Sequence, residues 1–436
     1  MLLKGIKILE FGCFISAPFA SKLLADMGAD VTKIEPSNGD SLRGIGPFIN
    51  GPQRLSGLFL SLNHGKKLLC LNVESSPGRE IFLKLVSRSD ILIENYGESY
   101  WEKIGLPWSQ IKMENRNIVI VSLTPFGNKG PYSKYHGQEI NVNALSGIVD
   151  CIGFPDRKPI NIPFHQAFFQ QGLNGAAAAV FAHLSVMNGK DRSAVVDISA
   201  FDVMSSYVTT HNLIYSTRDI FMKREGRRAA GSAGAYPFTI LQGKESPIAI
   251  MCPAVGEFKI LTEAMGSPEW SKDPRYQNPS EISRHYADEV DAHVEEWISK
   301  LSDKEIEEIS LKFGIPLYPI RNVDRILEDE QYGYRKYFKE ISYGGNSYTI
   351  PGLPFSCSDI DGPFKQDSDR AEAEEFAGFY PCSAVAELLA RHMHAGRIET
   401  ITDISIGKDS VEILKDLGNT ESSIDEFRRH DDKLHP

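Results

Sequence analysis

The chain has 436 residues, 42% hydrophobic and 24% charged, enough for two or three domains and ordinary for a globular protein. Its formal net charge of -11 excludes the basic surplus of a nucleic-acid or anionic-membrane binder, while leaving room for a local basic pocket. Six scattered cysteines without a CxxC pair argue against structural zinc and fit reduced thiols.

The first residues, MLLKGIKILEF, read as a strand and lack the basic and apolar regions of a signal peptide. No apolar run approaches the ~18 residues that span a bilayer. The expectation is a cytoplasmic protein with no membrane partner and no metal site.

Residues 6–11 read as a buried strand and 14–27 as a helix with Pro18 near its start, where a missing donor is harmless. Gly28 ends that helix, and 31–34 is the next strand. Then come a strand at 68–71, a helix at 77–87, a strand at 91–93, a helix at 98–104 and a strand at 118–122. Strands alternating with helices at this spacing predict βαβ units and a mainly parallel sheet, hence an α/β fold. The first strand-to-helix turn, FGCFISAP, lacks GxGxxG, which counts against an ordinary NAD-binding domain.

A short helix at 141–148 precedes the stretch 159–180, PINIPFHQAFFQQGLNGAAAAV. It runs from a polar loop with one histidine into a helix with no Asp, Glu, Lys or Arg from Gly172 to His183, so something packs closely on it. A strand at 195–198 and a helix at 200–215 follow, then the basic, glycine-rich run KREGRRAAGSAG at 223–234. That run divides a larger domain (1–220) from a smaller α/β domain (225–325), with 326–436 returning to complete the larger one. Residues 361–403 are acidic and read as an insertion; 409–427 read as amphipathic helix.

Several stretches together carry a resemblance. They are LKGIKILEF, APFASKLLADMGADVTKIEP with GDSLRG, LNHGKKLLCLN, SPGREIFLKLV, SDILIENYG, FGNKGPY, EINVNALSG, GKDRSAVVDIS, GIPLYPIRNVDRILED and GKDSVEILKDLG. In this order the chain resembles the class III CoA-transferase family, which includes formyl-CoA and carnitine CoA-transferases and α-methylacyl-CoA racemases. The resemblance implies a Rossmann-like large domain, a smaller domain, and two ring-shaped chains interlocked as a homodimer. It also implies coenzyme A or acyl-CoA as substrate. Ile15, Ser16 and Ala17 match the loop lining the nucleotide, and Lys66 and Lys67 the basic pair near its phosphates. Asn95 and Tyr96 match a pair beside pantetheine and adenine, and Lys103 stands where an arginine is common. Lysines suit a polyanionic ligand on an acidic protein.

The catalytic pattern breaks. Transferases of this family use an aspartate before the Gly/Ala helix as nucleophile, because carboxylate exchange is reversible and nearly isoenergetic. Here Phe168 or His165 takes that slot, depending on the anchor used, and no Asp or Glu occurs between Asp156 and Lys190. The racemase histidine is replaced by Gln138, whose neighbour Glu139 survives as a carboxylate. His165 is either a histidine bonded to a carbonyl or, with its near-neutral pKa, a general base or acyl-accepting nucleophile. The expectation is a diverged acyl or CoA transferase. The alternatives are a silent CoA-binding scaffold, a racemase, or an enzyme for a non-CoA acyl ligand.

Overall fold

The structure is a computed structural model describing residues 1–49, 55–189, 192–228, 235–252, 256–343, 346–356 and 409–418. The expected insertion at 361–403 lies outside the described residues. Contacts group the chain into two units: Met1–Ser146, Ile162–Met204 and Gly333–Pro436 in one, Gly147–Asn161 and Ser205–Tyr332 in the other.

The first unit is built on six strands. They are β1 (Lys7–Phe11), β2 (Asp30–Glu35), β3 (Lys67–Cys70), β4 (Ile91–Glu94), β5 (Val119–Thr124) and β6 (Ala194–Ser199). Their spatial order is β3-β2-β1-β4-β5-β6, with every pairing parallel. A parallel sheet is covered on both faces, which is why ILIE and VIVSLT read as nearly continuous apolar runs. The chain winds outward in both directions from β1 and β4. The loops leaving these two strands therefore flank the crevice where an open α/β sheet receives its ligand.

Helices α1 (Ser16–Asp26), α2 (Ser76–Val86), α3 (Glu98–Lys103), α4 (Glu139–Leu145) and α5 (Gln166–Met187) connect these strands. Side chains alternate along each strand, so two cores form. Leu9, Phe11, Leu92 and Ile120 pack with Ile81, Phe82 and Leu85 of α2. Ile8, Ile93 and Val121 pack with Ala20 and Leu24 of α1 and Ala176 and Ala179 of α5.

The close partner of the Gly/Ala helix is α1. A Cβ at Gly172 would lie 2.6 Å from the Ser16 carbonyl oxygen, so glycine is what lets the two backbones meet. The expected helix at 200–215 is two helices, Ala200–Ser206 and Thr209–Arg218, broken at Tyr207 and the β-branched Val208.

The return segment caps the sheet edge. Asp409 Oδ2 accepts from the Leu68 amide (2.6 Å), and Ser410 Oγ accepts from the Cys70 amide (3.1 Å). These bonds satisfy groups an edge strand would leave unpaired, and α6 (Ser410–Asp416) adds Ile413 and Leu414 to the core. Cys13, Cys151 and Cys252 are free thiols, whereas Cys70 is in a disulfide, a departure from reduced thiols throughout.

In the second unit, β7 (Phe238–Gln242), β8 (Pro247–Met251) and β9 (Leu317–Pro319) form an antiparallel sheet with β8 central. Ile248, Ile250, Val290, Val294 and Ile306 fill its core. Gly147–Asn161, placed by sequence in the larger domain, groups here because Arg224 binds the Asp150 carboxylate (2.7 Å) and the carbonyls of Asp150 and Phe154. Among the described residues, no helix is long and apolar enough to cross a membrane.

Candidate active site at the switch point of the sheet

The loop leaving β1 is held from three sides. Lys33 donates to the Gly12 carbonyl (2.9 Å), and Asp40 Oδ1 accepts from the Phe14 amide (2.9 Å). From the loop leaving β4, Asn95 accepts from the Cys13 amide (3.0 Å) and donates to the Cys13 carbonyl (2.7 Å) and Ser16 Oγ (3.2 Å). Behind this loop lies a buried charge network. Lys33 pairs with Glu10 (2.6 Å) and Asp40 (2.8 Å), Lys66 with Glu10 (2.8 Å) and Arg43 with Glu35 (2.7 Å). Burial pushes the Glu10 carboxyl up, but Lys33 and Lys66 outweigh it and hold it at about 2. Burial drags the Lys66 ammonium down to about 8 against the pull of Glu10.

His165 occupies the N-cap of α5 with φ 57°, and Phe164 before it has φ 64°. Its ring Nδ1 lies 3.1 Å from Glu139 Oε2, and Glu139 Oε1 accepts from the Ala167 amide (3.0 Å). With Glu139 ionised and the imidazole neutral, Nδ1 carries the shared proton and Nε2 presents its lone pair. Glu139 is buried, while the His165 side chain is 39% exposed. Phe14, itself at φ 65°, meets the His165 ring edge-on with centroids 5.0 Å apart and Phe168 at 5.7 Å.

Of the six non-glycine residues with positive φ among the described residues, Phe14, Phe164 and His165 gather at this one place. Such conformations cost on the order of 1–3 kcal/mol each and collect where function holds them. That clustering makes this corner the candidate site.

The residues expected from sequence distribute unevenly around it. Glu139 and His165 come together. Gln138 is exposed and caps α4 with Asn141. Phe168, the other occupant of the aspartate slot, is buried in the first turn of α5. Ile15, Ser16 and Ala17 are all buried at the start of α1, leaving backbone rather than side chains to the crevice.

Lys66 is completely enclosed, and its ammonium meets Glu10, the Pro18 carbonyl (2.9 Å) and Asn63 (3.0 Å). Three donors for three acceptors leave none for a phosphate. Lys67 begins β3 and pairs with Asp30 (3.0 Å) at the start of β2, the end of the sheet opposite the crevice. Asn95 is committed to the β1 loop. Tyr96 stacks on Tyr100 (4.7 Å), and burial together with the Cys13 thiol raises its hydroxyl pKa. Lys103 ends α3, exposed.

Sequence reasoning missed Phe14 and Asp40. The available signal was GDSLRG, whose aspartate follows the positive-φ Gly39 and reaches back to the β1 loop. Among the described residues, no group of three His, Cys, Asp or Glu is arranged to hold a metal.

The fold and this crevice define a doubly wound α/β protein of Rossmann type. Residues 3–368 match the family model for CoA-transferase family III, and the chain belongs to that family. It is 28% identical over 368 residues to the acetyl-CoA:oxalate CoA-transferase of Acetobacter aceti, covering 83% of this chain and 90% of that protein. Identity to the formyl-CoA:oxalate CoA-transferase of Streptomyces coelicolor is 29% over 342 residues, covering 75% and 82%. The crystal structure of a CAIB/BAIF family protein from Brucella suis matches with a TM-score of 0.75 at 25% identity, covering 95% and 98%.

Proposed function

We propose that the protein transfers the acyl group of an acyl-CoA thioester and that His165, oriented by Glu139, is the reacting residue. The observation that carries this reading is the hydrogen bond between the His165 ring and Glu139 at the mouth of α5. His165 Nε2 attacks the thioester carbonyl carbon, the C–S bond breaks, and coenzyme A leaves as its thiolate. The acyl-imidazolium keeps its Nδ1 proton against the Glu139 carboxylate, which offsets the new positive charge. An acceptor oxygen or nitrogen then attacks the same carbon, the C–N bond breaks, and any acceptor proton passes to the thiolate. The neutral ring is thereby restored.

Family membership supports the thioester substrate. Lys103 is the candidate phosphate contact, since Lys66 and Lys67 are engaged elsewhere. We further propose a homodimer. Leu173, Phe181, Leu184 and Met187 are exposed at helical spacing along α5, an apolar face suited to a second copy. Light scattering on the purified protein tests this; a monomer at micromolar concentration overturns it.

Hydroxylamine trapping with a mixed acyl-CoA panel, read as hydroxamate formed, tests the chemistry. His165→Ala is expected to abolish turnover with folding and CoA binding intact, and full activity in that variant sinks the role. The competing reading, a silent thioester-binding subunit, draws on the buried Phe168 and the lack of Asp or Glu between Asp156 and Lys190. Turnover well above background excludes it.

A further inference from the structure

We infer that Phe14 and Phe168 set the substrate class, selecting thioesters of apolar monocarboxylic acids and rejecting those of dicarboxylic acids. The inference rests on the reading that a thioester meets His165. Its own support is the wall around that ring. Phe14 stands edge-on to His165 at 5.0 Å and to Phe168 at 5.7 Å.

The placement of Phe14 is enforced rather than incidental. A bulky residue at φ 65° is held there by Asp40 on its own amide and by Asn95 on both backbone groups of Cys13. A smaller or polar side chain would satisfy those bonds equally well, so the backbone scaffold does not call for an aromatic ring. What the ring contributes is an apolar surface beside the reacting imidazole.

Charge points the same way. Glu139, bonded to the His165 ring, already sets a carboxylate at this corner, and a second carboxylate on the substrate would meet its repulsion. The cations clustered behind the loop are consumed. Lys33 is paired with Glu10 and Asp40, Lys66 with Glu10, and Arg43 with Glu35, and all three are buried. A substrate carboxylate placed against Phe14 and Phe168 would lose its water without gaining Lys33, Lys66 or Arg43 as a partner.

The experiment compares kcat/KM for benzoyl-CoA and hexanoyl-CoA with that for succinyl-CoA and oxalyl-CoA. The wild-type protein is expected to favour the apolar pair by about 100-fold. Phe14→Arg supplies a cation at the same place and is expected to shift that ratio at least tenfold toward succinyl-CoA. Phe168→Ala, which leaves the bonds of Asp40 and Asn95 to the loop in place, serves if Phe14→Arg does not fold, and is expected to lower the apolar preference. A wild-type preference for succinyl- or oxalyl-CoA, or a ratio unmoved by the variants, overturns the inference.

Should none of the four thioesters turn over, the catalytic reading fails on its own. The selectivity is then read by calorimetric titration of thioether analogues of the same four ligands. Tighter binding of the apolar pair supports the inference, and equal or weaker binding overturns it.

Discussion

Asn95 grips Cys13 by both of its backbone groups, accepting from the amide at 3.0 Å and donating to the carbonyl at 2.7 Å. One side chain thus ties together the two loops that flank the sheet's switch point. Asn95→Ala is expected to cost roughly 2–3 kcal/mol, because the bonds go and partly buried backbone groups lose their partner. Turnover should fall further than the folded fraction does, since Phe14 and its ring follow Cys13. Asn95→Asp should be no better, as it sets a carboxylate oxygen against the Cys13 carbonyl. Denaturant titration alongside turnover at full folding measures both, and a variant with normal turnover counts against a role in the site.

The Glu10 network gives the fold a definite pH response. Glu10 is held at about 2, below the ordinary 4.5, because Lys33 and Lys66 outweigh the effect of burial. Its contribution is therefore present above pH 4.5 and is lost as pH falls from 4.5 toward 2, on the order of 3 kcal/mol in all. Lys66 titrates the other way. Burial holds it near 8, so between pH 8 and its ordinary 10.5 the unfolded chain binds the proton that the folded chain has released. That group favours the folded state more as pH rises through this window. Guanidinium unfolding of the wild type and Glu10→Gln should differ clearly at pH 6 and converge as pH falls toward 2, where Glu10 begins to take up its proton. A gap that stays constant between those pH values contradicts the assignment.

Much of the sheet could be read from the chain, because buried parallel strands are apolar throughout and the helices between them carry recognisable starts and stops. The Gly/Ala run at 172–180 announced that something packs closely on it, and did not say that the neighbour is α1. The phosphate-binding lysines misled for a physical reason. Spacing places Lys66 and Lys67 where β3 begins, but it does not say that Glu10, near the end of β1, needs Lys66 as a counter-ion inside the core. His165 and Glu139 were visible as separate candidates 26 residues apart, and the hydrogen bond joining them was not. Phe14 was invisible because its importance lies in a left-handed backbone that nothing in FGCFISAP requires.

Gly172→Ala tests the helix crossing. Its new methyl would sit 2.6 Å from the Ser16 carbonyl oxygen, backbone against backbone, so α1 and α5 must move apart. A loss of about 1–3 kcal/mol is expected. At Gly175 the nearest atom is a methyl of Leu123, 2.9 Å from the added carbon, and a side chain can yield where a carbonyl cannot. Gly175→Ala should therefore cost less than Gly172→Ala. The unfolding midpoints of the two variants decide it, and the reverse order refutes the close-approach argument.

The last prediction separates strain from chemistry at His165. Its φ of 57° costs a non-glycine residue on the order of 1 kcal/mol or more, and glycine removes that cost. His165→Gly also removes the hydrogen bond to Glu139, worth about 1 kcal/mol. The two effects oppose each other, so the variant should unfold within about 1 kcal/mol of the wild type. Turnover should nevertheless fall by about 100-fold or more, because the ring proposed to meet the thioester is gone. His165→Asn retains a side chain that tolerates positive φ and supplies a polar group without a titratable ring. It should match His165→Gly in activity. A stable, fully active His165→Gly protein would show that the left-handed N-cap serves the loop and that the acyl group is handled elsewhere.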